Sequence, residues 1–338
     1  MLSRALKAKP RWSPRYGDNF SCKSGSILEY SEDCIVGFID DLSLVFCGNS
    51  ESHLTLREVL RGSVAVMGES RLGMTEKVVL LEGKIYAVKR FRKVSVGRRE
   101  FRKRVEKLAQ VSQKCQYLVP IAAYLYSKRI KFVVCDYYPM GSLADLLAGG
   151  REFGHTALSW NQRLRIALDI AQAIAFIHIE CPPHEKNMQM NAHGNIKASN
   201  VMINSNFSAC LSDYGFTQLA EFEEVSDTWQ QKPPPQQDQE SIYGDKCCQK
   251  SDIYSFGIIL LDMLGGSKAT GLRRCIEERY EKIKKGSIEF FEISLEGKER
   301  LQALKVLDIA LACTNELPEG RISIEQVLKY FGDVIVLK

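Results

Sequence analysis

A chain of 338 residues, 45% hydrophobic and 26% charged, can bury the core of one two-lobed unit or of two ordinary domains. The net charge of +5 is too mild to imply a partner by itself, and 11 cysteines without a C-x-x-C pair exclude a zinc ribbon or disulfide framework and point to reduced thiols. No apolar run approaches the roughly 20 residues of a membrane-spanning helix, and no apolar stretch follows the N-terminal charges as in a signal peptide, so a cytoplasmic or cytosol-facing protein is expected.

Residues 1–40 read as a tail. Arg4, Lys7, Lys9, Arg11 and Arg15 precede the first acid, Asp18, and Pro10 and Pro14 break any helix. Two readings stay open: a solvated tail, or a basic segment held against an anionic membrane surface, where each Lys or Arg contributes about 1 kcal/mol. Leu42–Phe46 is apolar and β-prone, and Gly48-Asn49 is a turn signal. Leu54–Leu60 reads as a short helix, Val64–Val79 as apolar chain around Gly68-Glu69-Ser70-Arg71-Leu72-Gly73, and Lys84–Lys89 as a strand. Arg98–Val111 predicts a helix with Phe101, Val105, Leu108 and Val111 on one face and Arg98, Arg99, Arg102, Lys103 and Lys107 elsewhere; stacking aromatics are not interleaved with these charges, which argues against nucleic acid.

Two more strands are expected over Tyr117–Tyr126 and Ile130–Cys135, followed by the polar-aromatic connector Asp136–Leu143. Beyond it the period changes. Leu164, Ala167, Ile170, Ala171, Ile174 and Ile177 form a helical stripe, Ser251-Asp252 stands as an N-cap before the apolar run Ile253–Leu264, and Leu301–Ala312 is a further helix. Ser323-Ile324-Glu325-Gln326 fits a capping box. A strand-rich part followed by a helical part predicts an α+β, bilobal fold: tail 1–40, β-rich lobe 41–135, hinge 136–139, helical lobe 140–338.

Between the helical stripes lies His193-Gly194-Asn195-Ile196-Lys197-Ala198-Ser199-Asn200, then the short apolar run Val201–Ile203, then Ser212-Asp213-Tyr214-Gly215. This order resembles the catalytic loop H-R-D-x-x-x-x-N and the metal-binding D-F-G of protein kinases. Asn195 stands where that frame needs an Asp to accept the substrate hydroxyl proton, and an amide cannot accept it near neutral pH.

With Tyr137–Leu143 and Lys250–Gly257, these motifs make the chain, from about Leu42 onward, similar to the cytosolic domain of plant leucine-rich-repeat receptor-like kinases, in particular their inactive members. The resemblance implies a kinase-like bilobal fold. It implies that Lys89 contacts nucleotide phosphates, that Asn200 and Asp213 hold Mg²⁺ through hard oxygens, and that Lys197 neutralises the transferring phosphate. It places Cys135 at the gatekeeper, Asp136 and Tyr138 at the adenine-contacting hinge, Gly68, Ser70 and Gly73 in the loop over the phosphates, and Asp252 beneath the catalytic loop as a brace.

Departures accompany these matches. Gly194 replaces an Arg that holds a phosphorylated activation segment, and Ser70 replaces the second loop glycine, whose lack of a Cβ allows close approach of phosphate. Thr75 replaces a valine that packs on adenine. Arg104 stands where a Glu should pair with Lys89, and is expected to repel it, with Glu106 as the alternative partner. The activation segment Asp213–Glu240 holds Glu221, Glu223, Glu224 and a triple proline, and Glu240 is the expected partner of Arg321. The resemblance therefore implies a pseudokinase: a signalling scaffold or allosteric partner of other receptor-like kinases or signalling proteins, binding ATP weakly with Mg²⁺, in the cytoplasm or at the inner face of the plasma membrane. The alternative is a weakly active serine/threonine kinase.

Overall fold

The computed structural model describes residues 44–48, 54–152, 158–185, 188–220, 248–266, 269 and 273–337, all within the unit Leu42–Lys338. The tail over 1–40 and the stretch holding Glu221, Glu223, Glu224, the triple proline and Glu240 lie outside the described residues.

Strands β1 (Val45–Phe46), β2 (Ser63–Ser70), β3 (Gly73–Val79), β4 (Ile85–Phe91), β5 (Ile121–Tyr126) and β6 (Lys131–Asp136) form one antiparallel sheet in the order β1-β5-β6-β4-β3-β2. The stretch Val64–Val79 divides into two strands at the Arg71-Leu72 turn, with Ser70 opposite Gly73. Gly73 has φ +143°, and a Cβ built there would lie 1.9 Å from the Arg90 carbonyl oxygen, so only glycine fits this crossing with β4. The expected strand Tyr117–Tyr126 is a strand only from Ile121. Pro120 has no N–H for the ladder, and the residues before it turn toward the helical half, where Leu118 bridges Leu211 and the Val119 N–H donates to the Leu211 carbonyl at 2.9 Å.

Helix α1 (Leu56–Arg61) is started by a capping box between Thr55 and Glu58. Helix α2 (Arg98–Ser112) packs against β5, burying Phe101, Val105 and Leu108 completely. Each such side chain contributes about 1.5–3 kcal/mol by leaving water. Arg98, Arg99, Arg102 and Lys103 stay exposed, as the periodicity required.

The helical half comprises α3 (Leu143–Glu152), α4 (Trp160–Ala175), α5 (Gln249–Gly265), α6 (Arg273–Lys284), α7 (Gly297–Cys313) and α8 (Ile324–Val336). Between α4 and α5 lie two small hairpins, β7 (His184–Glu185) with β8 (Met188–Gln189), and β9 (Val201–Ile203) with β10 (Ala209–Leu211). Helix α5 packs on α7 and α4 on α8, with Phe256 and Phe331 6.3 Å apart. Capping boxes start α4 at Ser159/Gln162 and α8 at Ser323/Gln326.

Two features depart from the sequence pattern. Helix α5 starts one turn earlier than the Ser251-Asp252 cap implies. Its N-cap is Cys248, whose Sγ accepts from the Ser251 N–H at 3.3 Å, while the Asp252 carboxylate turns to the loop N–H groups of His193 and Gly194. Helix α6 escapes the apolar pattern because so few of its side chains are buried, Ile276 and Ile283 being the apolar ones. Among the described residues no helix is long and apolar enough to cross a membrane.

Candidate functional site

The catalytic-loop frame is built from below by Asp252, which is 2% exposed. Its Oδ2 accepts from the His193 N–H at 2.7 Å and its Oδ1 from the Gly194 N–H at 3.0 Å. Gly194 has φ +74°, a left-handed conformation that an Arg adopts only with strain, and this lets both N–H groups meet one carboxylate. Asp252 is thus the brace that the resemblance implied. His178, in a π-helical turn after α4, lies with Nε2 3.0 Å from Asp252 Oδ2. No sequence pattern marks His178, since the irregular turn alone brings it there.

The next contacts shape the loop itself. The Asn195 N–H donates to His193 Nδ1 at 3.2 Å. Burial holds the fully enclosed His193 imidazole below its ordinary pKa, outweighing the opposite pull of Asp252 and Asp213, so the ring is a neutral structural element. Asn200, also buried, donates from Nδ2 to the Asn195 carbonyl at 2.8 Å. Its own carbonyl accepts from the Ser212 N–H at 2.8 Å, which places Asn200 beside Asp213. Lys197 is half-buried at the head of the same turn, its carbonyl accepting from the Asn200 N–H at 2.8 Å.

Asp213 has φ +63°, unusual outside glycine and tolerated by the short polar side chain of an Asp. The following Tyr214 is buried and donates from its hydroxyl to the Met190 carbonyl at 2.5 Å. Asn200 Nδ2 is engaged; its Oδ1, together with the Asp213 carboxylate, one oxygen of which faces Lys89, could hold a cation. Both are hard donors of the kind Mg²⁺ takes.

Lys89 is buried, 6% exposed, on β4. Its Nζ lies 2.9 Å from Asp213 Oδ2 and donates to Thr75 Oγ1 at 3.2 Å and Ser70 Oγ at 3.3 Å. The expected repulsion from Arg104 does not occur. Arg104 is turned to Glu100 at 2.9 Å and to the Gln218 carbonyl at 2.6 Å, fastening α2 to the segment after Asp213. Glu106 does not meet Lys89 either; it pairs with Arg102 at 2.9 Å and accepts from the Tyr124 hydroxyl at 3.2 Å. Gly68 is exposed and open to solvent, unlike Gly73. Asp136 ends β6, exposed, and Tyr138 is half-buried after it. Burial first, and the negative charge of Asp213 second, raise the Cys135 thiol above its ordinary range, so it is a neutral group near the Lys89–Asp213 pair. Arg321 donates to the Lys250 carbonyl at 3.0 Å and stacks over Tyr254; its expected partner Glu240 lies outside the described residues.

The sequence profile described as protein tyrosine and serine/threonine kinase matches residues 65–331. The chain belongs to this kinase family. A probable inactive receptor kinase of Arabidopsis thaliana is 33% identical over 340 residues, covering 97% of this chain and 50% of the relative. An inactive leucine-rich repeat receptor-like serine/threonine-protein kinase of the same plant is 32% identical over 306 residues, covering 86% and 44%. The chain spans about half the length of the curated relatives it matches. Among solved structures, the kinase domain of the maize sucrose-induced receptor kinase SIRK1, bound to AMP-PNP, superposes with a TM-score of 0.69 at 25% identity, covering 86% of this kinase-family chain and 99% of that one. The pseudokinase domain of BIR2, an immune regulator of the RLK/Pelle family, shares the fold with a TM-score of 0.72 at 24% identity, covering 89% and 92%. The likeness to receptor-like kinases read from the motifs is borne out.

Proposed function

We propose that the chain is the kinase-fold part of a receptor-like pseudokinase, a signalling scaffold that does not transfer phosphate. The observation that carries this reading is Asn195 at the base position of a correctly braced loop. Asp252 holds the backbone on one side and Asn200 holds the Asn195 carbonyl on the other, so the loop is formed while its proton acceptor is missing. The test is a phosphotransfer assay with Lys89→Met as the blank; the unmodified chain is expected to show no transfer above that blank, and robust transfer abolished in Lys89→Met defeats the reading.

A second reading, a weakly active serine/threonine kinase, is favoured by the Lys89–Asp213 contact and by the Arg104–Gln218 contact, which keep the parts of the cleft assembled. Loss of a general base costs roughly 10²–10⁴-fold, and phosphoryl transfer depends largely on positioning and charge, so a residual rate is this reading's signature. ATP, in either reading, binds weakly. Asn200 and Asp213 supply oxygens for one Mg²⁺, Lys89 lies beside them, and Asp136 and Tyr138 form the adenine side. The partners are other receptor-like kinases or signalling proteins, with a further peripheral contact of the basic tail with an anionic membrane at the cytoplasmic face.

A further inference from the structure

Lys89 is enclosed by this chain's own oxygens. An ammonium carries three N–H donors and no acceptor, and Asp213 Oδ2, Thr75 Oγ1 and Ser70 Oγ supply three acceptors at 2.9, 3.2 and 3.3 Å. Thr75 is the direct cross-strand neighbour of Lys89 in the β3–β4 register, so its hydroxyl needs no side-chain search to reach the ammonium. Ser70 is fixed by its own hydroxyl, which donates to the Gly73 carbonyl at 3.2 Å across the hairpin turn and so leaves its lone pairs for Lys89. The β2–β3 hairpin, β4 and the Asp213 loop are thereby tied together at one nitrogen.

We propose that Ser70 and Thr75 form a hydroxyl clamp that occupies the phosphate-gripping lysine and makes the cleft indifferent to phosphate. In the absence of Mg²⁺ the ligand class it takes is then a purine nucleoside, with the di- and triphosphate gaining little over the nucleoside. The proposal rests on reading this cleft as a nucleotide cleft. A phosphate approaching Lys89 must displace two hydroxyls already in hydrogen-bond contact and share the ammonium with the Asp213 carboxylate. With glycine at 70 and valine at 75 neither hydroxyl exists, and the ammonium has donors to offer.

The test is calorimetric titration of the full chain and of the Ser70→Gly/Thr75→Val double variant with adenosine, ADP and ATP, each with and without Mg²⁺. Without Mg²⁺ the unmodified chain is expected to bind ATP and adenosine within about threefold of each other, and the double variant to favour ATP by about tenfold or more. ATP binding at least about tenfold tighter than adenosine in the unmodified chain without Mg²⁺ overturns the clamp, as does a double variant that gains no preference for ATP. A ligand-free readout stands beside it: acylation of Lys89 by an amine-reactive ester, mapped by mass spectrometry. Lys89 is expected to react more slowly in the unmodified chain than in Ser70→Gly, Thr75→Val or the pair, and equal rates overturn the clamp even if the double variant is too unstable to titrate. If neither protein binds any of the three ligands, the nucleotide-cleft reading itself fails, phosphate indifference falls with it, and the labelling rates still decide whether the hydroxyls enclose Lys89.

Discussion

Asp252 accepts from two backbone N–H groups and touches His178 while almost wholly removed from water. Deleting a charged acceptor that satisfies buried donors leaves them without partners, which is expensive. Asp252→Ala is expected to lower unfolding stability by about 3 kcal/mol, measured by urea denaturation; a loss below about 1 kcal/mol means the loop holds itself without the brace. Asn195 poses the opposite case, a residue whose replacement is expected to change chemistry and not architecture. Asn195→Asp alone is expected to restore no phosphotransfer, because Lys89 remains held by Ser70, Thr75 and Asp213. Combined with Ser70→Gly and Thr75→Val it is expected to raise transfer above the Lys89→Met blank. Substantial transfer by Asn195→Asp alone in a radiolabel assay defeats this account.

At the scale of elements, the two glycines of the β2–β3 hairpin are not equivalent. Gly73 lies against the Arg90 backbone with φ +143°, whereas a Cβ on Gly68 meets nothing within 4 Å. Gly73→Ala is expected to cost more than about 3 kcal/mol and Gly68→Ala less than about 1 kcal/mol, by the same urea titration; equal losses contradict the geometry. A second element-level device joins α3 and α4 through Glu292. Its carboxylate meets Arg163 at 2.8 Å and Arg151 more closely still. Burial alone would raise the Glu292 carboxyl, yet the two guanidiniums outweigh it and hold it below the ordinary glutamate value. A carboxyl lowered in the folded state adds stability above its unfolded value of about 4.3, and that stability is lost as pH falls through the folded value. Thermal unfolding of Glu292→Gln is therefore expected to show lower stability near neutrality and a shallower decline below roughly pH 4.3. An unchanged acid limb shows that the pair contributes nothing.

For the whole molecule, the described elements lie within Leu42–Lys338, and the basic residues Arg4, Lys7, Lys9, Arg11 and Arg15 lie before it. Removing residues 1–41 is expected to change unfolding stability by less than about 1 kcal/mol, the buried core of the described residues being built from Leu44 onward. The same truncation is expected to abolish binding to vesicles of mixed neutral and anionic lipid. Binding by the full chain should weaken steeply as salt shortens the Debye length to roughly 10 Å at 0.1 M. Sedimentation with vesicles that is insensitive both to truncation and to salt removes the tail from the membrane contact.

Much of this was already written in local residue order. Period-two and period-3.6 patterns located β4, α2 and α4, capping boxes located α8, and the spacing of His193, Asn195, Asn200 and Asp213 located the loop frame, because each signal depends on neighbours a few residues apart. The amide at position 195, where the resemblance implies a proton-accepting Asp, was equally local. What only the tertiary structure decided was who meets whom. Arg104 was expected to repel Lys89, and instead the helix direction carries it to Glu100 and the Gln218 carbonyl. The start of α5 lies at Cys248, and the Asp252 carboxylate is drawn into the loop that begins at His193. Ser70 and Thr75 read in sequence as obstacles above a phosphate and beside an adenine; the β2–β3–β4 register turns both hydroxyls onto the same ammonium. Such partners are set by strand register and by loops distant in the chain, and no periodicity records them.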